Sequence, residues 1–227
     1  RPEAEGHYPG TPEQARRDLQ QMRERGINLA RIYHLPPLWF LDCCAAAGVR
    51  VMITLPWAKH IEFLVRAKTR REIVDAVRKA VAPHAGHPAI FGYLVGNEIP
   101  TTMVRWVGVR RVTEFLEELI RVGREEDPQV LFSYASYPPT EYLLPQNVDF
   151  YCFNVYLHDQ RDFEKYLLRL QNLAEEKPLM LGEFGMDTTR QPEEEPAERL
   201  SGTIHPVVRG GRAARGNGRD GRPRPDH

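Results

Sequence analysis

What this sequence lacks narrows it first. Only three cysteines occur among 227 residues, Cys43, Cys44 and Cys152, and the first two are adjacent. Three cannot make a disulfide framework, so reduced, structural thiols are expected. No apolar run approaches the roughly 18 residues of a membrane-spanning helix, and no charged-then-apolar leader opens the chain. With the unpaired cysteines, this leans towards the cytoplasm, although a start at Arg1 rather than Met reads as a cut from a longer chain. Gly-rich phosphate loops and nucleophilic Ser or Cys constellations are missing too, and no cofactor is expected. Net charge is also absent, with 31 Lys plus Arg against 31 Asp plus Glu, so nothing global draws nucleic acid.

That zero hides an asymmetry. Residues 202–227 hold six arginines against Asp220 and Asp226, which leaves the preceding 201 residues at net −4. Only Ile204, Val207 and Val208 of this Arg/Gly/Pro-rich stretch could enter a core, so it is expected to be a disordered tail behind a folded domain over residues 1–201. An Arg/Gly-rich nucleic-acid tail is one reading. The preferred one is an interrupted natural chain, because a GC-rich gene read out of frame yields this composition.

What is present is a rhythm of short apolar runs and longer amphipathic stretches, the pattern of a parallel sheet covered by helices. Strands are expected at Ile27 to Tyr33, Val49 to Leu55, Ile90 to Val95, Val130 to Tyr134, Val148 to Val155 and Pro178 to Leu181. The first helix is expected over Pro12 to Arg25, with Thr11 as N-cap, Pro12 in the first turn and Gly26 as stop. Others follow at Leu38 to Ala47, Arg70 to Ala82, Val109 to Arg124 and Asp162 to Leu173, and one more could begin near Pro192 to Leu200. Six strands with their helices read as a (β/α)8 TIM barrel left incomplete. A first strand would lie upstream of Arg1, and no apolar run supplies the last.

Two acidic residues stand at the ends of strand candidates, Glu98 in YLVGNEIP and Glu183 in LMLGEFGMD. The C-terminal ends of barrel strands form the active-site rim, so carboxylates there are aimed at substrate. Glycoside hydrolysis needs such a pair, a proton donor and a nucleophile or base. Either Glu could instead cap a helix or pair with an arginine. Asn97 offers an amide for a sugar hydroxyl beside the reacting carbon, while Gly96, Gly182 and Gly185 leave room for substrate.

On these residues the chain resembles clan A glycoside hydrolases, families 2 and 5 in particular. HPAIFGYLVGNE is similar to the segment ahead of their acid/base, and LGEFG to that around their nucleophile. The likeness runs from about Thr11 to Asp187, and the two motifs lie 85 positions apart. It implies a (β/α)8 barrel, a carbohydrate substrate and a retaining reaction, with Glu98 after the fourth strand and Glu183 after the seventh once a missing first strand is counted. It further implies that Arg31 holds the nucleophile ionised, that Asn97 binds the 2-hydroxyl, and that Tyr156 touches the nucleophile. A structural ion pair for Arg31 and a plain rim aromatic for Tyr156 stay open.

Trp57 could stack on a sugar face and His34 could line the same pocket; Trp106 and Tyr137 are weaker candidates. A loop role is expected for His84 and His87 and no metal, because no third ligand stands at zinc-like spacing. The clan's substrate-stacking Trp after strand eight has no counterpart. Two alternatives therefore remain open: a transglycosylase, or a carbohydrate-binding or scaffolding barrel, attached to a polysaccharide-synthesis protein, that has lost turnover.

Overall fold

The rhythm read from the sequence becomes six parallel strands in a computed structural model that describes residues 10–56, 64, 66–157 and 159–185. The strands are β1 (Leu29–Ile32), β2 (Arg50–Thr54), β3 (Ile90–Asn97), β4 (Leu131–Ser136), β5 (Tyr151–Val155) and β6 (Leu179–Phe184). They lie side by side in chain order, each parallel to the next. Parallel neighbours cannot be joined by a hairpin, so each link must cross back along the sheet. Helix α1 (Pro12–Glu24) leads into β1, α2 (Leu38–Ala47) links β1 to β2, and α3 (Ala67–Val81) links β2 to β3. Helices α4 (Thr101–Val107) and α5 (Val109–Glu126) join β3 to β4, a single 3-10 turn at Pro138–Thr140 lies between β4 and β5, and α6 (Gln160–Ala174) precedes β6.

Local signals explain the boundaries. The Thr11 hydroxyl accepts from the Gln14 amide at 3.3 Å, with Pro12 in the first turn of α1. Helix α2 ends at Gly48, whose φ of 68° is the left-handed stop that a glycine adopts without strain. Helix α4 was not expected. Its seven residues are too few for a hydrophobic period to show, and Pro100 and Gly108 at its ends read as loop signals.

Both faces of the sheet are apolar. On one, Tyr93 stacks on Phe132 at 5.5 Å between ring centroids, and α5 buries Phe115, Leu116, Leu119 and Ile120. On the other, Met52, Leu94, Ala135, Phe150 and Cys152 form a buried cluster, flanked by Leu29, Leu131 and Met180. Strands covered twice read as continuous apolar runs, which is why they were legible. Burial raises the Cys44 and Cys152 thiols to about 12 each, and all three cysteines are buried and unpaired.

The described residues fall into two compact units. The first runs to Val155 and resumes at Leu170–Phe184, and so holds the whole sheet. The second takes residues 156–157, 159–169 and 185, so α6 begins in it. In that second unit Phe163 and Leu167 are buried and Leu168 is exposed. The helix expected at 192–200 and the tail expected at 202–227 lie outside the described residues, as does Trp57. No helix among the described residues is long and apolar enough to cross a membrane.

Candidate functional site

Two irregularities in strand register make the site. Between β3 and β4 the pairing steps from Leu94 opposite Ser133 to Asn97 opposite Ala135, three residues against two. Between β5 and β6 it steps from Phe153 opposite Leu181 to Asn154 opposite Glu183. An extra residue in one strand re-aims every side chain after it. Simple alternation would turn Asn97 and Glu183 away from the face that carries Leu94 and Met180. The bulges bring them onto it.

On that face four strands converge on Arg31. Its Nε donates to Thr54 Oγ1 at 3.0 Å, Nη1 to Asn154 Oδ1 at 3.0 Å, and Nη2 to Asn97 Oδ1 at 2.7 Å. Nη1 also pairs with Glu183 Oε1 at 3.1 Å, where the side chains are 8% and 23% exposed. Arg31 stands on β1 and Glu183 on β6, the first and last strands of the sheet. A flat sheet would hold them far apart at about 4.8 Å per strand, so the sheet must curl like a barrel wall.

Asn154 completes the network. Its Nδ2 donates to Glu98 Oε1 at 2.7 Å, to Glu183 Oε1 at 3.0 Å and to Asn97 Oδ1 at 2.9 Å. Two hydrogens serve three acceptors, so at least one bond is shared. Because both carboxylate oxygens touch one nitrogen, they lie at most about 5.7 Å apart, the total of the two distances. Glu183 Oε1 also accepts from the Tyr33 hydroxyl at 2.6 Å.

The backbone is strained at the same place. Glu98 has φ of 49°, a left-handed conformation that costs a residue with a Cβ on the order of 1–2 kcal/mol. Two bonds from β4 hold it there. The Glu98 amide donates to the Ala135 carbonyl at 2.9 Å, and the Ile99 amide to the buried Tyr134 hydroxyl at 2.9 Å. Burial holds the Tyr134 phenol well above its ordinary range, so it stays protonated through the neutral range. Gly182 supplies the remaining space. A Cβ there would sit 2.6 Å from Cys152 Sγ, 2.8 Å from Arg31 Nη1 and 2.9 Å from Asn154 Oδ1.

Of the residues singled out in the sequence, Glu98, Glu183, Arg31 and Asn97 meet in this cluster. Glu183 lies inside β6 rather than after it, since the strand runs on to Phe184. His34 is exposed in the turn after β1. Tyr156 follows β5 and is 56% exposed, its ring 3.3 Å from where a Cβ on Gly185 would lie. Trp106 is 76% exposed at the end of α4. His84 bonds the carbonyls of Ala80 and Pro36 at 3.0 and 3.2 Å. His87 accepts from the Ala89 amide at 3.2 Å and lies 3.3 Å from Asp42 on α2. Sequence reasoning missed Asn154 and Tyr33. Asn154 stands one bulge-shifted pair from Glu183 in FNVY, and its polarity in a strand apolar on both sides was the available signal.

A curled, all-parallel α/β sheet with paired carboxylates at its strand ends defines the class, an enzyme-type barrel wall. The chain belongs to the glycosyl hydrolases family 2, TIM barrel domain, which it matches over residues 10–194. No curated protein matches the sequence. Among solved structures it is similar to a beta-glucuronidase of Bacteroides uniformis, at 23% identity and TM-score 0.72, covering 88% of this chain and 27% of that one. It is likewise similar to a beta-D-glucuronidase of Dictyoglomus thermophilum, at 19% identity and TM-score 0.72, with 88% and 39% covered. A third is a beta-glucuronidase of Ruminococcus gnavus in complex with D-glucuronic acid, at 15% identity and TM-score 0.73, with 88% and 37% covered. At these identities the likeness is one of fold. The chain spans well under half the length of each.

Proposed function

We propose that this domain carries the catalytic centre of a retaining glycoside hydrolase, with Glu98 as acid/base and Glu183 as nucleophile. The observation that carries the reading is the shared amide nitrogen of Asn154, which limits Glu98 Oε1 and Glu183 Oε1 to a separation of about 5.7 Å or less. Retaining enzymes hold their carboxyls about 5–5.5 Å apart, and inverting enzymes about 6.5–9.5 Å to admit a water. A bound of this size on the facing oxygens supports the first class over the second.

In the first step the Glu183 carboxylate attacks the anomeric carbon while Glu98, protonated, gives its proton to the departing glycosidic oxygen. In the second, Glu98 takes a proton from water as the water oxygen bonds the anomeric carbon and Glu183 leaves. Arg31 holds Glu183 in place through a side chain engaged by four protein groups. With its oxygen held by Arg31 and Asn154, Asn97 keeps its Nδ2 donors for a sugar hydroxyl. The substrate is a carbohydrate, and the names of the solved relatives make β-D-glucuronides the first sugars to try.

The test takes the full-length protein through a panel of aryl β-glycosides, glucuronide, galactoside, mannoside and glucoside, followed by the matching 2-deoxy-2-fluoro glycoside. Turnover, a product of retained anomeric configuration and a covalent label on Glu183 are expected. A label on another residue, an inverted product, or neither turnover nor label overturns the assignment.

A further inference from the structure

The Tyr33 hydroxyl donates to Glu183 Oε1 at 2.6 Å, nearer than Asn154 Nδ2 at 3.0 Å or Arg31 Nη1 at 3.1 Å. The ring that carries it is 49% exposed, so burial does not fix its position. Arg31 does this instead. Its guanidinium carbon lies 4.7 Å from the Tyr33 ring centroid, a cation–π contact made by the same side chain that pairs with Glu183. Clamped this way, the phenol is aimed at the carboxylate.

We propose that Tyr33 positions Glu183 and accelerates its departure from the glycosyl-enzyme, the second half of the reaction. The inference rests on reading Glu183 as the nucleophile. An O–H donor favours the charged form of a carboxylate, and only an interaction that changes between ground and transition state alters a rate. As Glu183 attacks, its charge falls and the Tyr33 bond weakens, so the first step gains nothing. In the second step a water oxygen gives its electron pair to the anomeric carbon and passes a proton to the Glu98 carboxylate. As it does so, the bond from that carbon to Glu183 breaks and its pair returns to the carboxylate. Charge grows beneath the Tyr33 hydroxyl, and the hydrogen bond tightens on the way to the transition state. Arg31 and Asn154 divide their donors among Thr54, Asn97 and Glu98 as well, so replacing either dismantles the framework. The Tyr33 hydroxyl can be removed with the ring and its cation–π contact left in place.

The experiment is Tyr33→Phe in the full-length protein, with the 2,4-dinitrophenyl glycoside of the sugar turned over fastest in the panel, a leaving group that makes the first step fast. A hydrogen bond to a charged group changes a rate by about tenfold when the charge is partly developed. kcat should fall by about tenfold and KM by at least as much, so that kcat/KM stays at or above wild type, and the fluoroglycosyl label on Glu183 should persist about tenfold longer. A lower kcat/KM with KM unchanged or raised, or a label lifetime equal to wild type, overturns the role of Tyr33 and leaves the nucleophile standing. Failure of wild-type Glu183 to label removes the functional reading and this inference with it.

Discussion

Asn154 Nδ2 lies 2.7 Å from Glu98 Oε1 and 3.0 Å from Glu183 Oε1, so one uncharged amide spans two carboxylates. The side chain is 1% exposed and its oxygen is held by Arg31 at 3.0 Å. Water cannot replace it without rebuilding the network.

This spanning amide makes Asn154→Asp a damaging isosteric change outside the two carboxylates themselves. It substitutes a third carboxylate for the donor between two others, and repulsion at such distances in a buried setting is large. Activity on the aryl glycoside should fall by on the order of 10²–10³, the loss that follows removal of one preorganised donor. Steady-state kcat/KM of Asn154→Asp beside Asn154→Ala measures it, and equal activities would show that charge is not the cause.

Gly182→Ala should destabilise the domain and disable it together. The new Cβ would meet Cys152 Sγ, Arg31 Nη1 and Asn154 Oδ1, all under 3.0 Å. Overpacking of this kind costs about 1–3 kcal/mol. Urea unfolding should show the loss. Adding Cys152→Ala should recover only part of it, because the clashes with Arg31 and Asn154 persist.

At Glu98 stability and function pull in opposite directions. Glycine adopts φ of 49° without a Cβ penalty, so Glu98→Gly should raise the urea midpoint while abolishing turnover. The gain should be about 1 kcal/mol. A midpoint at or below wild type would mean that the lost Asn154 bond outweighs the relieved strain.

The buried thiols give a pH signature. Burial lifts Cys44 and Cys152 from the ordinary 9.0 to about 12 in the folded state. Above pH 9 the unfolded chain releases these protons and the folded chain keeps them. Their contribution to stability is therefore complete below pH 9 and is lost as pH rises towards 12. Midpoints measured between pH 8 and pH 10.5 should fall, and by less in Cys44→Ala. Native thiols should resist iodoacetamide at pH 8 and react once unfolded.

The order of strands and helices was legible because strands covered on both faces are apolar throughout, as in VRVMITL, and because caps such as Thr11 and Gly48 mark helix ends locally. Glu98, Glu183, Arg31 and Asn97 were legible from position at strand ends and from family likeness. Asn154 and Tyr33 were not, since each gains its meaning from partners 29 to 150 residues away. Trp57 and the stretches expected at 192–200 and 202–227 lie beyond the described residues.

The sequence alone determined which residues could form parallel strands, where most of them begin and end, and which two carboxylates stand at the sheet rim. Those follow from periodicity and local backbone preference, which need only near neighbours. The tertiary structure decided which way the side chains point. Two bulges, each a one-residue step set by pairing with the next strand, turn Asn97 and Glu183 inward. The curl of the sheet then brings Arg31 from its first strand against Glu183 on its last. Register and curvature belong to pairs of strands, and no single segment encodes them.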